Sequence, residues 1–196
     1  MRCFGGLVGL VLTLFGGLGV ASAQGLSYPI PMSGQQVPVV TMRLESPAFK
    51  EGEEIPARYT YQGDNISPPF KWFDAPAATK SFVFIIEDPD APDPAAPKGI
   101  WVHWILYNIP PSAKGLAEGV KTLPIGVGEG INGWLRTGYG GPQPPVGKHR
   151  YFHKLYALDK VLEPSKKNPT REDLEEEMWG HVLAEATLMG TYQLKK

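Results

Sequence analysis

The chain has 196 residues, of which 42% are hydrophobic and 20% are charged, and this composition fits one globular domain with its own core. The formal net charge is −1, so the chain lacks the basic surplus typical of proteins whose main partner is nucleic acid or an anionic membrane. Its 23 glycines and 20 prolines favour a loop-rich β protein over a helical one.

Residues 1–23 predict a signal peptide that is not part of the fold. Arg2 gives a positive start, Phe4 to Val20 is apolar and uncharged, and Ala21-Ser22-Ala23 fits the small-residue pattern that precedes cleavage. A retained membrane anchor is the alternative, because the apolar stretch approaches spanning length. The single cysteine, Cys3, precedes that stretch, so cleavage leaves a mature chain without disulfides or a cysteine nucleophile.

The segment 24–38 is rich in Gly, Ser, Pro and Gln without periodicity, which predicts a flexible N-terminal arm. The remaining residues, 39–196, are predicted to form a single domain. Val39–Leu44 and Ile55–Tyr61 alternate well enough to predict its first two strands, and an extended segment leads to Trp72.

The segment Ser81–Glu87 is the most apolar part of the mature chain and predicts a central, buried strand. It leads directly into Asp88-Pro89-Asp90-Ala91-Pro92, which places two carboxylates at the end of that strand. An ordinary Asx turn would also account for these residues. Because they end a buried strand, Asp88 is nevertheless a candidate site residue.

The next predicted strand is Trp101–Ile109, ended by Pro110-Pro111. Strand alternation places His103 and Ile105 on the same face. A histidine in such a run is either a core residue with a satisfied hydrogen bond or a ligand-binding residue, and the spacing leaves both interpretations open.

A glycine- and proline-rich loop from Tyr139 to Gly147 precedes His149-Arg150-Tyr151. Its glycines permit close approach to the backbone, and its prolines fix the φ angle, so the loop loses little entropy when it is ordered. An extended chain from His149 onward points His149 and Tyr151 to the same side. We therefore expect this loop to form one wall of a polar pocket.

The C-terminal part of the chain predicts a strand, Tyr151–Leu158, followed by a helix. Leu174, Met178, Val182 and Ala186 recur at helical spacing up to about Leu188, and Thr170 with Asp173 fits a capping box. A short helical turn is also predicted near Leu116. The predicted fold is thus mainly β, with an antiparallel sheet or sandwich and a C-terminal helix packed on it.

The polar side chains of Asp88, His103, His149 and Tyr151 suit a small anionic group, because histidine and backbone N–H groups of the glycine loop can donate hydrogen bonds. Aspartate and histidine also bind metals, but no H-x-H, HExxH or CxxC spacing supports a metal site. A hydrolase is a further alternative, although the chain contains no G-x-S-x-G motif. We predict no cofactor, no metal and no catalytic residue.

Three ordered motifs carry a resemblance to a known family: Asp88-Pro89-Asp90-Ala91-Pro92, Val102-His103-Trp104, and Gly140-Gly141-Pro142 leading to His149-Arg150-Tyr151. The chain resembles the phosphatidylethanolamine-binding proteins, and is similar to their bacterial Raf-kinase-inhibitor-like branch, from about Thr41 to Tyr192. Gln143 stands where many bacterial relatives carry cysteine, and the run before the glycine loop, which contains Trp134, also departs from the family pattern.

The resemblance implies a large antiparallel sheet, a smaller flanking sheet and an anion pocket that takes phosphate-like groups. By motif, its ligand-binding residues would be Asp88, Pro92, His103, Gly141, Pro142, His149 and Tyr151, whereas structural ties are at least as good an explanation for Asp90 and Arg150. The expected function is non-catalytic binding of a small anion or phospholipid headgroup, after export to the periplasm or secretion from a bacterial cell. Inhibition of a protease or kinase through the protein surface is the alternative.

Overall fold

The computed structural model describes residues 42–195, and most of the regular structure in this range is β-strand. The strands are β1 (Arg43–Glu45), β2 (Phe70–Phe73), β3 (Ser81–Asp88), β4 (Trp101–Ile109), β5 (Gly115–Leu116), β6 (Gly128–Glu129), β7 (Lys148–Leu158) and β8 (Val182–Gln193). Helix α1 (Arg171–Met178) lies between β7 and β8. No helix within 42–195 is both long and apolar enough to cross a membrane. The predicted signal peptide (1–23) and arm (24–38) lie outside the described residues.

The larger sheet is antiparallel and has the strand order β6-β4-β3-β7-β8, with β3 at its centre. All eight residues of β3 are buried, as the continuous apolar run predicted. Phe82, Phe84 and Ile86 enter one apolar cluster, and Val83 and Ile85 enter another. Because successive side chains of a strand alternate, β3 separates two cores, and its prediction as the central strand is confirmed.

The smaller sheet has the order β1-β2-β5 and covers one face of the larger sheet. Phe70 and Trp72 of β2 are almost completely buried, and their rings lie 4.9 and 5.6 Å from the rings of Phe84 and Phe82 on β3. Helix α1 contributes to the apolar cluster on the opposite face. The predicted fold class, a large antiparallel sheet with a smaller flanking sheet and a helix, is confirmed.

The C-terminal helix is shorter than its sequence pattern indicated. Thr170 caps α1, because its side chain accepts from the backbone of Asp173 and the Asp173 carboxylate accepts from the backbone of Thr170, so the predicted capping box is confirmed. The helix ends at Met178, Gly180 adopts a φ of 76°, and the chain continues as β8. The prediction of a helix to about Leu188 is wrong, because a four-residue spacing is even and also fits the two-residue period of a strand.

Two other local predictions are also wrong. The segment Ile55–Tyr61 is not a strand of either sheet: after the Ile55 N–H donates to the Thr191 carbonyl at the edge of β8, the chain turns at Pro56 into a 3-10 helix, Ala57–Tyr59. The predicted helical turn near Leu116 is instead part of β5. In both places contacts with a distant strand decide the local conformation.

Candidate ligand-binding site

The strand order brings three polar segments together at one end of the large sheet. β3 ends at Asp88, and both of its neighbours, β4 and β7, run antiparallel to it. Antiparallel neighbours begin where β3 ends. Asp88 therefore pairs with Trp101, the first residue of β4, and Glu87 pairs with Phe152 near the start of β7. The two predicted site histidines thus lie on either side of the end of β3.

His103 reaches this site because β4 is irregular at that residue. The β3–β4 register shifts between Ile86 and Glu87, which leaves His103 as the extra residue of a β-bulge. Its ring meets the Tyr151 ring edge-on, at a centroid distance of 5.2 Å. Simple alternation had placed His103 on the face of Ile105, in the other core. That prediction is wrong, because a bulge changes the side to which a strand residue points.

A cavity of about 250 Å³ lies between these segments. Of the predicted binding residues, Asp88, Pro92, His103, His149 and Tyr151 line it. The other lining residues are Ala91, Trp101, Trp134, Gln143, Pro144 and Pro145. The cavity is slightly smaller than common sites for drug-sized molecules, so its size suits a small ligand.

Gly141 and Pro142 do not line the cavity. The N–H of Gly141 donates to Asn65 Oδ1 at 2.8 Å, and the carbonyl of Pro142 accepts from the N–H of Tyr61 at 3.1 Å. A Cβ atom on Gly141 would lie 2.4 Å from the carbonyl oxygen of Tyr59, so only glycine fits there. These residues attach the glycine loop to the turn before β2.

The backbone donors of the glycine loop are also used within the protein. The N–H of Gly140 donates to the carbonyl of His103 at 3.1 Å, just as the N–H of Gly141 donates to Asn65. A Cβ atom on Gly140 would lie 2.5 Å from the ring of Trp134. The expectation that these two N–H groups are free for an anion is wrong, and the loop positions side chains instead.

Asp88 and His149 form a buried pair that carries no net charge. His149 Nδ1 lies 2.7 Å from Asp88 Oδ2, and His149 Nε2 lies 3.0 Å from the carbonyl oxygen of Val146. A carbonyl only accepts, so Nε2 carries a proton, and one further proton lies between Nδ1 and the carboxylate. Burial raises the pKa of Asp88, while the hydrogen bond from His149 opposes that rise. Whether the shared proton lies on His149 or on Asp88, the total charge of the pair is zero.

His103 is neutral at pH 7 and its tautomer is fixed by the loop. Its Nδ1 lies 2.6 Å from the carbonyl oxygen of Gly140, so Nδ1 carries the proton and donates. Burial lowers the pKa of His103 to about 4. Its Nε2 is consequently an unprotonated nitrogen, which accepts a hydrogen bond from a ligand but does not donate one.

Tyr151 supplies a hydroxyl whose hydrogen-bonding capacity is unused. The side chain is 1% exposed, and among the described residues its hydroxyl has no hydrogen-bond partner. Burial, with a further effect of the Asp88 charge, raises the pKa of Tyr151, so the hydroxyl stays protonated. An unpaired buried hydroxyl destabilises a fold by about 1–3 kcal/mol, and a ligand that accepts from it removes that penalty.

Asp90 and Arg150 are structural ties, one of the alternatives that the sequence left open. The guanidinium of Arg150 donates to both carboxylate oxygens of Asp90, at 2.9 and 2.7 Å, and the Arg150 N–H adds a third bond at 2.9 Å. These bonds hold the pKa of Asp90 below its usual value. They attach the turn after β3 to β7 and so fix two walls of the cavity relative to each other.

Sequence reasoning did not name the two tryptophans of the site. Trp101 and Trp134 line the cavity, and their rings meet edge-on at 5.3 Å. The Trp134 ring also lies 5.2 Å from that of His103. The departure from the family pattern at Trp134 was a signal that pointed to this residue. For Trp101, its position two residues before His103 on the same strand was a usable clue.

The lining residues limit the chemistry of the site. Among the residues that line the cavity in the described part of the chain, none is a serine, threonine, cysteine or lysine. Within 42–195, no group of three or more His, Cys, Asp or Glu side chains is arranged to hold a metal ion. The arrangement suits hydrogen bonding to a small ligand between aromatic and proline walls.

The sequence and the architecture agree with one known family. The sequence model of the phosphatidylethanolamine-binding proteins matches residues 45–193. The chain therefore belongs to the phosphatidylethanolamine-binding protein family.

Individual relatives agree with this assignment. A UPF0098 protein of Chlamydia muridarum is 47% identical over 152 residues, covering 78% of this chain and 99% of the relative. A solved phosphatidylethanolamine-binding protein homologue from Chlamydia trachomatis is 44% identical, with a TM-score of 0.73 and coverage of 80% of this chain and 99% of that one. YbcL of Escherichia coli, described as a member of the mammalian family, is 28% identical with a TM-score of 0.71, covering 79% and 99% of the two chains.

Proposed function

We propose that this protein binds a small phosphate-bearing ligand in the cavity between β3, β4 and the glycine loop, without transforming it. The observation that carries the proposal is the pairing of opposite hydrogen-bonding capacities on the cavity walls. Tyr151 has an unused hydroxyl donor, and His103 has an unprotonated Nε2 acceptor. A ligand that both accepts and donates hydrogen bonds satisfies both residues.

A monoprotonated phosphate monoester fits this description better than a carboxylate does. Its P–O⁻ oxygens accept from Tyr151, and its P–OH group donates to His103, whereas an ionised carboxylate only accepts. The Asp88–His149 pair adds no net charge that would repel the ligand. A phosphodiester has no P–OH at neutral pH, so we expect monoesters such as O-phosphoethanolamine to bind more tightly than diesters.

The aromatic walls suit the organic part of such a ligand. The indoles of Trp101 and Trp134 flank the cavity together with Pro144 and Pro145. Indole faces attract ammonium groups and stabilise them by about 0.5–2 kcal/mol, so the amino group of phosphoethanolamine has a favourable place beside them. None of the described lining residues is Ser, Thr, Cys or Lys, and Asp88 is hydrogen-bonded to His149, which supports binding over covalent catalysis.

Calorimetry with inorganic phosphate, O-phosphoethanolamine, glycerophosphoethanolamine and acetate tests the proposal. We expect O-phosphoethanolamine to bind more tightly at pH 5.5 than at pH 7.5, because the second phosphate pKa is about 6 and the monoprotonated form gains population as the pH falls. Tyr151→Phe and His103→Gln each remove one hydrogen bond and are expected to weaken binding by about tenfold. Asp159→Asn, at an exposed position on the loop after β7, is the control and keeps wild-type affinity.

Two results would overturn the proposal. The first is the absence of binding by any of the four compounds at millimolar concentration. The second is equal binding by wild type, Tyr151→Phe and His103→Gln. Release of inorganic phosphate from O-phosphoethanolamine during the titration would contradict the non-catalytic part and would favour a hydrolase.

We also propose that the protein acts after export. The support is the positive start, apolar stretch and Ala21-Ser22-Ala23 pattern of residues 1–23. Mass spectrometry of the protein isolated from a bacterial host's periplasm and medium is expected to give a mature N-terminus at Gln24. An intact Met1 in a membrane fraction would support the retained anchor instead.

A further inference from the structure

Strand β8 forms one edge of the large sheet, and part of its outer side is unpaired among the residues that the structure describes. The carbonyl oxygens of Met189 and Thr191 point outward and accept from N–H groups of the segment 52–55, each at 2.8 Å. The β7–β8 register is regular over this stretch, so the N–H and C=O groups of Glu185 and Thr187 also point outward. Within the described chain, no hydrogen bond reaches these groups. Such an edge is a template for one more strand.

One face of this edge adjoins a largely apolar depression of about 630 Å³. It is lined by residues of β1, of the segment 46–51, and by Thr187 and Leu188 of β8. Leu44, Phe49 and Leu188 form its apolar part, and they belong to the core cluster between the two sheets. Because side chains alternate along a strand, every second residue of a strand added beside Thr187 would point toward this depression.

The opposite face of the same edge is acidic. Glu185 is exposed, and its side chain points to the α1 side, because its neighbour Ala186 enters the core cluster on the other face. Helix α1 carries five carboxylates and one arginine in eight residues. Burial raises the pKa of Tyr156, and the charges of Glu185 and Glu175 raise it further, so carboxylates of β8 and α1 lie near the same phenol.

The cations on the α1 side leave part of this negative charge uncompensated. Lys154 and Arg171 both form ion pairs with the buried Glu87. In the part of the chain that the structure describes, Glu176 and Glu185 form no ion pair. A cationic side chain placed beside Glu185 is therefore attracted by both elements, and its own charge is compensated there.

We propose that the outer edge of β8 at Glu185 and Thr187 binds an extended segment of a partner protein in which basic and apolar residues alternate. The segment adds a strand to the large sheet, in line with the segment 52–55. In antiparallel pairing, a residue directly opposite Glu185 places its side chain on the acidic face, and the residues on either side of it point to the apolar depression. Hydrogen bonds to the edge fix the backbone, while the two faces select the side chains.

This docking surface is separate from the cavity at the end of β3. Glu185 pairs with Tyr156 near the end of β7, whereas His149 and Tyr151, which line the cavity, lie near its start. The inference is therefore independent of the proposed function, and O-phosphoethanolamine affinity is expected to stay unchanged when the edge is occupied.

A capped Lys-Val-Lys-Val-Lys peptide tests this inference on the purified protein, with backbone hydrogen exchange followed by NMR. We expect the N–H groups of Glu185 and Thr187 to exchange rapidly in the free protein and slowly once the peptide is bound. The same peptide with N-methylated lysines keeps every side chain but cannot donate to the edge, so it should give no protection. A Glu-Val-Glu-Val-Glu peptide should also give none, because it meets the acidic face.

A charge reversal on the protein gives an independent measurement. Glu185→Lys changes an exposed side chain, and it is expected to weaken Lys-Val-Lys-Val-Lys binding by about tenfold, because repulsion replaces attraction. Asp64→Lys is the matched control, since it makes the same change of charge at a 65% exposed position in the turn before β2, and it keeps wild-type affinity.

Several results would overturn the inference. Slow exchange of both N–H groups in the free protein would mean that the edge is already covered, by a second copy if the protection rises with protein concentration and otherwise by this chain itself. Equal protection by the N-methylated or the acidic peptide would contradict strand addition or charge selection. Absence of Lys-Val-Lys-Val-Lys binding at millimolar concentration, unchanged affinity in Glu185→Lys, or an equal loss in Asp64→Lys would also reject this surface.

Discussion

Two consecutive buried carboxylates at the end of β3, Glu87 and Asp88, lie in different surroundings. Each side chain is 4% exposed, yet strand alternation directs them to opposite faces of the large sheet. Glu87 faces the α1 side, where Arg171 Nε donates to it at 3.0 Å and the Lys154 ammonium forms a second ion pair. Asp88 faces the cavity and meets a histidine.

The two carboxylates differ in the partners that neutralise their charge. Glu87 binds two fixed cations, so its charge is neutralised within the protein and nothing remains to interact with a ligand. Asp88 shares a proton with His149 beside a cavity that also contains the unpartnered Tyr151 hydroxyl. Burial of a carboxylate therefore does not by itself identify a site. The unused hydrogen-bonding capacity around it does.

The largest expected effect is on the Glu87 side. Glu87→Gln leaves the partly buried Lys154 without the counter-charge it binds and removes one of the carboxylates that Arg171 contacts, and removing one partner of a buried ion pair costs about 3 kcal/mol or more. Urea unfolding at pH 7 measures this loss. Glu172→Gln is the control, because Glu172 also contacts Arg171 but is 73% exposed, and its loss is expected to stay below about 0.5 kcal/mol.

Asp88→Asn sharpens the same comparison on the other face. Asparagine keeps one hydrogen bond, because its amide N–H can donate to His149 Nδ1 while the ring proton stays on Nε2, so the expected loss of unfolding free energy is only about 1 kcal/mol. O-Phosphoethanolamine affinity should fall in Asp88→Asn but not in Glu87→Gln. Equal stability losses in the two variants, or a binding loss in Glu87→Gln, would contradict the functional difference between the two faces.

The next prediction concerns His153, which is buried in the core as His103 is buried beside the cavity. Burial lowers the pKa of both histidines to about 4, so between pH 6.5 and 4 the unfolded chain binds more protons than the folded one, and stability falls as the pH falls. From pH 7 to pH 5 each histidine contributes about 2 kcal/mol of this loss. His153→Gln is expected to remove the part of this stability loss that His153 contributes. Urea unfolding of the variant and the wild type at pH 7 and pH 5 measures it.

Phe70→Leu is the control for that experiment. The Phe70 ring lies 5.1 Å from that of His153, so this variant disturbs the same core without removing a titratable group. It should lower the unfolding free energy by similar amounts at pH 7 and pH 5. An unchanged pH dependence in His153→Gln would show that His153 is not the buried neutral base described above.

A smaller effect is expected from Arg150→Lys at the edge of the cavity. Lysine cannot form the two-pronged contact with Asp90, and Arg150 is 54% exposed, so the stability loss is expected to be about 1 kcal/mol. Ligand affinity should fall by a few-fold, because the turn after β3 is held less firmly to β7. Arg43→Lys, which disrupts exposed contacts with Glu45 and Asp74, is the control and should change neither quantity measurably.

The smallest expected stability effect comes from Tyr151→Phe. Its hydroxyl has no partner in the described residues, so its removal is expected to cause no loss of unfolding free energy. Tyr192→Phe is the matched comparison, because the buried Tyr192 hydroxyl donates to Gln62 Oε1, and it should lose about 1 kcal/mol. A larger loss in Tyr151→Phe than in Tyr192→Phe would mean that the Tyr151 hydroxyl has a structural partner.

Much of the site could be predicted from the sequence because its residues stand at strand ends. The apolar run before Asp88 predicted a central strand, and the alternation from His149 to Tyr151 predicted that both face one side, which their burial and their stacked rings 6.4 Å apart bear out. The face of His103 could not be predicted, because a bulge depends on how two strands pair. Gly141 and Pro142 were assigned to the site by motif, although their contacts are with the turn before β2.

The sequence by itself determined the fold class and the identity of the polar side chains, because hydrophobic periodicity and turn residues act locally. Only the tertiary structure decided where the C-terminal helix stops and β8 begins, since the spacing from Met178 to Ala186 fits both periods. It also decided which polar groups remain unused. Hydrogen-bond partners such as Gly140 for His103, and Arg171 for Glu87, come from distant parts of the chain, and only folding brings them together.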